Sequence, residues 1–141
     1  MSVFDNLIHL FAPLTANCSD FKDKWEKAAQ KPAGAVGGCW QGEWISAASG
    51  HHGPLRCVVD QIAEDQWRMS FRAEYGKVFR ACYATDFRVT QQDGRWIFRG
   101  GSDLGVLAGG AYEYEGSATL EALTCRYKSA KDHGEFRLRK I

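Results

Sequence analysis

The residues best suited to chemistry in this 141-residue chain are histidines and aspartates set in turns. His51 and His52 stand in the turn Ser49-Gly50-His51-His52-Gly53, Asp132 and His133 in Asp132-His133-Gly134, and Asp103 in the glycine-rich stretch 101–110. Imidazole titrates near neutrality, so such a set suits acid–base work, metal ligation or the holding of a polar ligand head. Asp, His and Gly are also ordinary turn residues, and turn capping is the bland alternative. A closed metal site wants fixed ligand spacing and none is visible, so no metal is assigned and the cofactor is unknown. Catalysis has no motif behind it, since neither G-x-S-x-G nor H-E-x-x-H occurs. The glycines of 100–110 match neither G-x-G-x-x-G nor a P-loop.

The second chemical set is aromatic. Aromatic residues make up 13% of the chain, including 5 Trp. Trp44, Phe71, Tyr75, Tyr83, Tyr112, Tyr114 and Tyr127 fall on one parity of their segments. They would share one face and could line a pocket, with tyrosine hydroxyls giving a few oriented polar contacts. The alternative is that the rings simply fill a core. Gly42 and Gly116, on the same parity, leave room for a ligand or for a bend.

The elements that must position these residues change character near 32–38. Before that boundary the spacing is helical. Phe4, Leu7, Ile8 and Phe11 form one stripe, ended by Pro13. Ser19 is the expected N-cap of a second helix, with Asp20 in its first turn and Phe21, Trp25 and Ala28 or Ala29 on its apolar face. After Gly38 the period is two. In Trp67-Arg68-Met69-Ser70-Phe71-Arg72-Ala73-Glu74-Tyr75 every odd position is apolar and every even one polar. Turn signals separate about eight such segments, which close most economically into an up-and-down antiparallel barrel. The expected organisation is a helical segment over 1–37 and one mainly-β barrel over 38–141. Odd-numbered turns of a meander share an end, so His51, His52, Asp103, Asp132 and His133 should meet at one barrel mouth.

Composition narrows the partners. Lys+Arg is 18 and Asp+Glu 17, a net charge of +1, which gives no bulk electrostatic case for nucleic acid. Arginines on the outer parity, such as Arg68, Arg80 and Arg88, alternate with acids, and cross-strand pairing accounts for them. No run reaches the ~20 apolar residues of a membrane-spanning helix. There are 5 cysteines without C-x-x-C spacing, read as small core residues of a reducing cytosol. A cytoplasmic location is expected, although Leu14-Thr15-Ala16-Asn17-Cys18 resembles a bacterial lipobox and leaves lipoprotein processing open.

At Gly38-Cys39-Trp40 the chain resembles the lipocalins, and more broadly the calycin barrels, which open their first strand with G-x-W. The resemblance covers about 38–141. It implies that Trp40 closes one barrel end beside an arginine of the last strand, Arg137 or Arg139. Trp40-Gln41-Gly42-Glu43-Trp44 is also similar to the opening of nitrobindin-like haem barrels, and the barrel more loosely to fatty-acid-binding proteins. The loop at 49–53 is shorter than the first loop of lipocalins. The helices precede the first strand, whereas fatty-acid-binding proteins place theirs after it, and the nitrobindin Y-P-T-I continuation is absent. The resemblance implies carriage of a small, largely apolar ligand in the lumen and names no ligand. A small barrel enzyme using the His/Asp mouth, or a structural and partner-binding domain with a filled core, are the alternatives.

Overall fold

The computed structural model describes residues 18–30, 35–77, 79–103 and 111–141, with backbone alone at 79, 102 and 103. Among the described residues one helix, α1 (Cys18–Ala29), precedes eight strands: β1 (Gly38–Ser46), β2 (His52–Ala63), β3 (Gln66–Tyr75), β4 (Phe79–Gln92), β5 (Arg95–Asp103), β6 (Ala111–Ala118), β7 (Ala122–Lys128) and β8 (His133–Lys140). Each strand pairs antiparallel with the next, and β8 returns to β1 to close the barrel. This is the expected meander. The first helical stripe, around Phe4–Phe11, lies outside the described residues.

Parity decides the interior. Trp67, Met69, Phe71 and Ala73 are buried and Arg68 is exposed, as the alternation in β3 requires. Ser70 departs from this pattern, because it points outward yet is only 4% exposed. The reason is α1, which lies on the outer face of β1–β4. Phe21 and Ala28 pack there against Cys39 and Val58, with Trp25 and Cys82 at the margin. Lys24 Nζ donates to Ser70 Oγ at 3.3 Å, and Cys39 Sγ donates to the Trp25 carbonyl at 3.4 Å. The Arg56 guanidinium sits 5.1 Å from the centre of the Trp25 ring. Val58, an apolar residue on the wet parity of β2, is the sequence mark of this covered patch.

The cysteine expectation is corrected in part. Cys39, Cys57 and Cys125 are buried thiols, whereas Cys18 and Cys82 form a disulfide across 64 residues. The bond ties the first residue of α1 to the outer parity of β4. It commits the sulfur that a lipobox would modify.

The expected stack of Trp40 on an arginine is also corrected. Trp40 is fully buried, and its indole Nε1 donates to the Val36 carbonyl at 2.9 Å. Arg137 and Arg139 are exposed on the outer parity of β8, as are Glu43 and Gln41, their partners on β1. Trp40 and both arginines therefore point to opposite sides of the wall. Gly38 has φ +121°, a backbone region open to glycine and strained for other residues, which accounts for the glycine two residues before Trp40.

Closing a loop of this length removes chain entropy worth about 4 kcal/mol in the unfolded-state treatment of disulfides. Cys82→Ser should lower the urea-derived stability by about 2–4 kcal/mol. Without reductant, thiol titration should find three reactive thiols in the unfolded chain and almost none in the native one, since Cys39, Cys57 and Cys125 are all buried.

Candidate functional site

The lumen is built from rings in mutual contact. At the Trp40 end, Trp67 packs on Trp96 and Phe98, with ring centres 6.0 and 5.8 Å apart. Phe98 meets Phe87 edge-on at 5.4 Å, and Phe87 meets Tyr114 at 5.8 Å. Phe136 joins the far wall by contacting Phe71 at 5.5 Å and Tyr127 at 5.2 Å. Edge and offset arrangements of this kind add about 0.5–1.5 kcal/mol per pair beyond area burial. The room expected at Gly42 and Gly116 is taken. A Cβ at Gly116 would collide with the Phe98 ring, and one at Gly42 with the Arg137 backbone. These glycines let strands and rings approach closely, so they offer no ligand space.

The seven lining candidates therefore divide. Trp44, Phe71, Tyr112, Tyr114 and Tyr127 are buried, while Tyr75 and Tyr83 stay partly exposed. Tyr75 stands at the mouth, its hydroxyl 3.5 Å from His51 Nε2 and its ring 5.9 Å from that of Trp44. Trp44 Nε1 donates to the Glu74 carbonyl at 2.8 Å, fixing the indole beneath this pair.

The mouth gathers the expected turns but not the expected side chains. Ala47 N donates to the His133 carbonyl at 2.8 Å, so the first and seventh turns touch. His51 falls on the inward parity and is half-buried, whereas His52 and His133 are exposed on the outward parity. The three imidazoles do not converge, because neighbours along a strand face opposite sides. Asp103 ends β5 opposite Ala111, and its side chain lies outside the described residues. Among the described residues no group of three or more His, Cys, Asp or Glu is placed to hold a metal ion.

Asp132 does point inward and is 2% exposed. Its Oδ1 accepts from Ser46 Oγ at 2.6 Å and from the His133 N–H at 2.9 Å, and its Oδ2 accepts from the Tyr127 hydroxyl at 3.3 Å. Burial pushes the Tyr127 phenol well above its ordinary value, and the Asp132 charge adds to the shift. Burial also raises Tyr112, against a hydrogen bond with Ser129. The Cys125 thiol is pushed up to about 12, chiefly by burial, so it is no nucleophile at neutral pH.

Part of β4 runs beyond its described pairing with β5. β5 accompanies β4 only from Phe87, opposite Gly100, to Gln92, opposite Arg95. Among the described residues, the first half of β4 pairs with β3 alone. Tyr83 and Thr85 sit on that stretch with inward parity. Tyr83 stacks on Phe71 at 5.2 Å. Burial raises its phenol well above the usual range, reinforced by Tyr114, Cys125, Tyr127 and Cys57 around it. Thr85 is 5% exposed, and its Oγ1 is buried without a hydrogen-bond partner. Sequence reading passed over Thr85. Its signal was a polar residue on the inward parity between Tyr83 and Phe87.

The fold is a closed, sequentially ordered barrel of eight antiparallel strands, lipocalin-like in architecture. No family model and no curated protein match the chain. A solved structure described as "The Siderocalin Ex-FABP functions through dual ligand specificities" is similar at 16% identity, over 74% of this chain and 72% of that one, with a TM-score of 0.47.

Two outcomes follow for the mouth of this barrel. Asp132→Ala strips Ser46 and Tyr127 of an acceptor and should cost about 2–3 kcal/mol in urea melts, while His52→Ala and His133→Ala should stay within about 0.5 kcal/mol. The buried phenols are held neutral in the folded chain, with pKa values above the ordinary 10.0. Their stabilisation is complete below about pH 10 and is lost as pH rises through the folded values. The buried Cys57 and Cys125 thiols, also raised by burial, act the same way from their ordinary 9.0. Thermal midpoints should therefore begin to fall at about pH 8.5 and fall steeply above about pH 10.5.

Proposed function

We propose that this barrel binds a small, largely apolar molecule non-covalently, in the half of the lumen lined by Tyr83 and Tyr75. The carrying observation is the pair on the unaccompanied stretch of β4: a partly exposed tyrosine ring beside a buried hydroxyl with no partner. A buried hydroxyl left unpaired costs about 1–3 kcal/mol, and a ligand carrying one polar atom would relieve that cost at Thr85. The Tyr83 ring, already stacked on Phe71, would give such a molecule a flat apolar wall. His51 and Tyr75 would meet its outer end. Binding away from the Trp40 end is favoured because rings already occupy that end.

We further propose an oxidising compartment as the place of action. The Cys18–Cys82 bond supports it, since such bonds are rare where glutathione and thioredoxin keep thiols reduced. This replaces the cytoplasmic expectation with a reading that the disulfide favours.

The second reading, a structural barrel whose helix or outer face carries the interaction, is favoured by the ring contacts from Trp67 to Phe136. Thr85→Val separates the two. Valine matches threonine in shape without the unpaired hydroxyl, so the empty protein should gain about 1 kcal/mol under either reading. Native mass spectrometry of freshly purified protein, followed by tryptophan-fluorescence titration with fatty acids, retinoids and haem, should find a bound or saturably binding molecule. Its affinity should fall about tenfold in Thr85→Val. Wild-type protein that carries and binds nothing would leave the structural reading standing.

A further inference from the structure

We infer that the outer face of β8, β1, β2 and β3 carries a binding site for a compact polyvalent oxyanion, separate from the lumen. The strand register sets Arg139 opposite Gln41, Gln41 opposite Arg56, and Arg56 opposite Arg72. Three guanidinium stems and one amide thus form a single row across four strands. Residues directly opposite on neighbouring strands have Cβ atoms about 4.5–5.5 Å apart, and like charges so placed destabilise a sheet. Nothing in the pleat demands arginine at these positions, because any polar residue satisfies the outer parity.

The local acids do not neutralise the row. Glu74 pairs with Arg72, Oε1 to Nη2 at 3.0 Å. Arg56 rests its guanidinium on the Trp25 ring, a contact that leaves its N–H edges free to donate in the plane. Arg139 has no carboxylate partner among the described residues. Arg72 Nε is buried without an acceptor. The concavity between these side chains is about 390 Å³ and holds three arginines against the one glutamate. The other described surface concavities have acids at least equal to bases. Over β5–β8, Arg99, Arg126 and Lys128 face Glu113, Glu115 and Glu135, and over β4–β5, Arg88 and Arg99 face Asp65 and Asp86.

An oxyanion accepting from two guanidinium groups would remove the like-charge repulsion and give Arg72 Nε its missing acceptor. Guanidinium forks match the paired oxygens of phosphate and carboxylate, and they shed water more readily than ammonium does. The Gln41 amide can donate a further N–H. The chemistry fits a phosphate monoester or a di- or tricarboxylate of a few atoms' span.

The test is calorimetric titration of the intact, disulfide-bonded chain with inorganic phosphate and, separately, with citrate, at an ionic strength held constant by sodium chloride. One saturable site is expected for at least one of the two, and which of them binds assigns the phosphate or the carboxylate class. Arg72→Gln and Arg139→Gln should each weaken it about tenfold, the scale of one lost charge-assisted hydrogen bond. Arg99→Gln, whose guanidinium already pairs with Glu115, should leave it unchanged. If Arg72→Gln fails to fold, the exposed Arg139→Gln carries the comparison alone. Absence of saturable heat for both anions, or equal weakening by Arg99→Gln, overturns the proposal, because either result means diffuse screening in place of a site.

Discussion

Closing eight antiparallel strands into one barrel gives every side chain one of two addresses, lumen or outer face, and removes the sheet edges that would otherwise need cover. Most of the other features described here depend on that constraint. It puts the charged residues of β3 outside and the rings inside, and it sends adjacent histidines of one turn to opposite faces. It also makes the interior small. A lumen of this girth is either filled or left with room for one ligand. Here the Trp40 end is filled by large rings set over glycines, Phe98 over Gly116 being the clearest case. The tight wall and the bulky core are one solution, since neither would pack without the other.

The helix answers a different need. Cys39 and Val58 stand on the outer parity and would expose apolar surface on a bare barrel. α1 covers them with Phe21 and Ala28. A 12-residue helix is marginal in isolation, so its stability comes from this packing and from the covalent tie at its first turn. Arg56 belongs to both structures. Its stem lies on the barrel and its head on Trp25, so the helix shapes one side of the arginine row.

Period-two alternation made the barrel legible in the sequence, because a one-residue slip would have inverted every burial assignment in β3. The turns of the mouth were legible by counting hairpins. Side-chain convergence there was not, since a turn count fixes the end of the barrel and leaves the face to parity. His52 and His133 face outward, while Asp132 and His51 face inward. The Cys18–Cys82 bond was hidden for another reason. Its partners lie on a helix and a distant strand, and spacing carries no information about pairing across 64 residues. The Trp40–arginine stack came from family resemblance alone, and the register of β8 against β1 puts its members on opposite sides.

The two proposed sites use opposite physics, and the wall between them keeps them independent. Inside, burial keeps the Tyr83, Tyr112 and Tyr127 phenols neutral, so recognition there must come from contact area and single hydrogen bonds. A full charge in that space would meet a desolvation cost of several kcal/mol, and Asp132, the buried charged residue among those described, is already bonded to Ser46 and Tyr127. Outside, solvent softens the repulsion of the arginine row enough for the fold to tolerate it, and the same exposure leaves an anion free to enter. An apolar molecule and an oxyanion would therefore not compete, although Phe71 and Arg72 are neighbours on one strand.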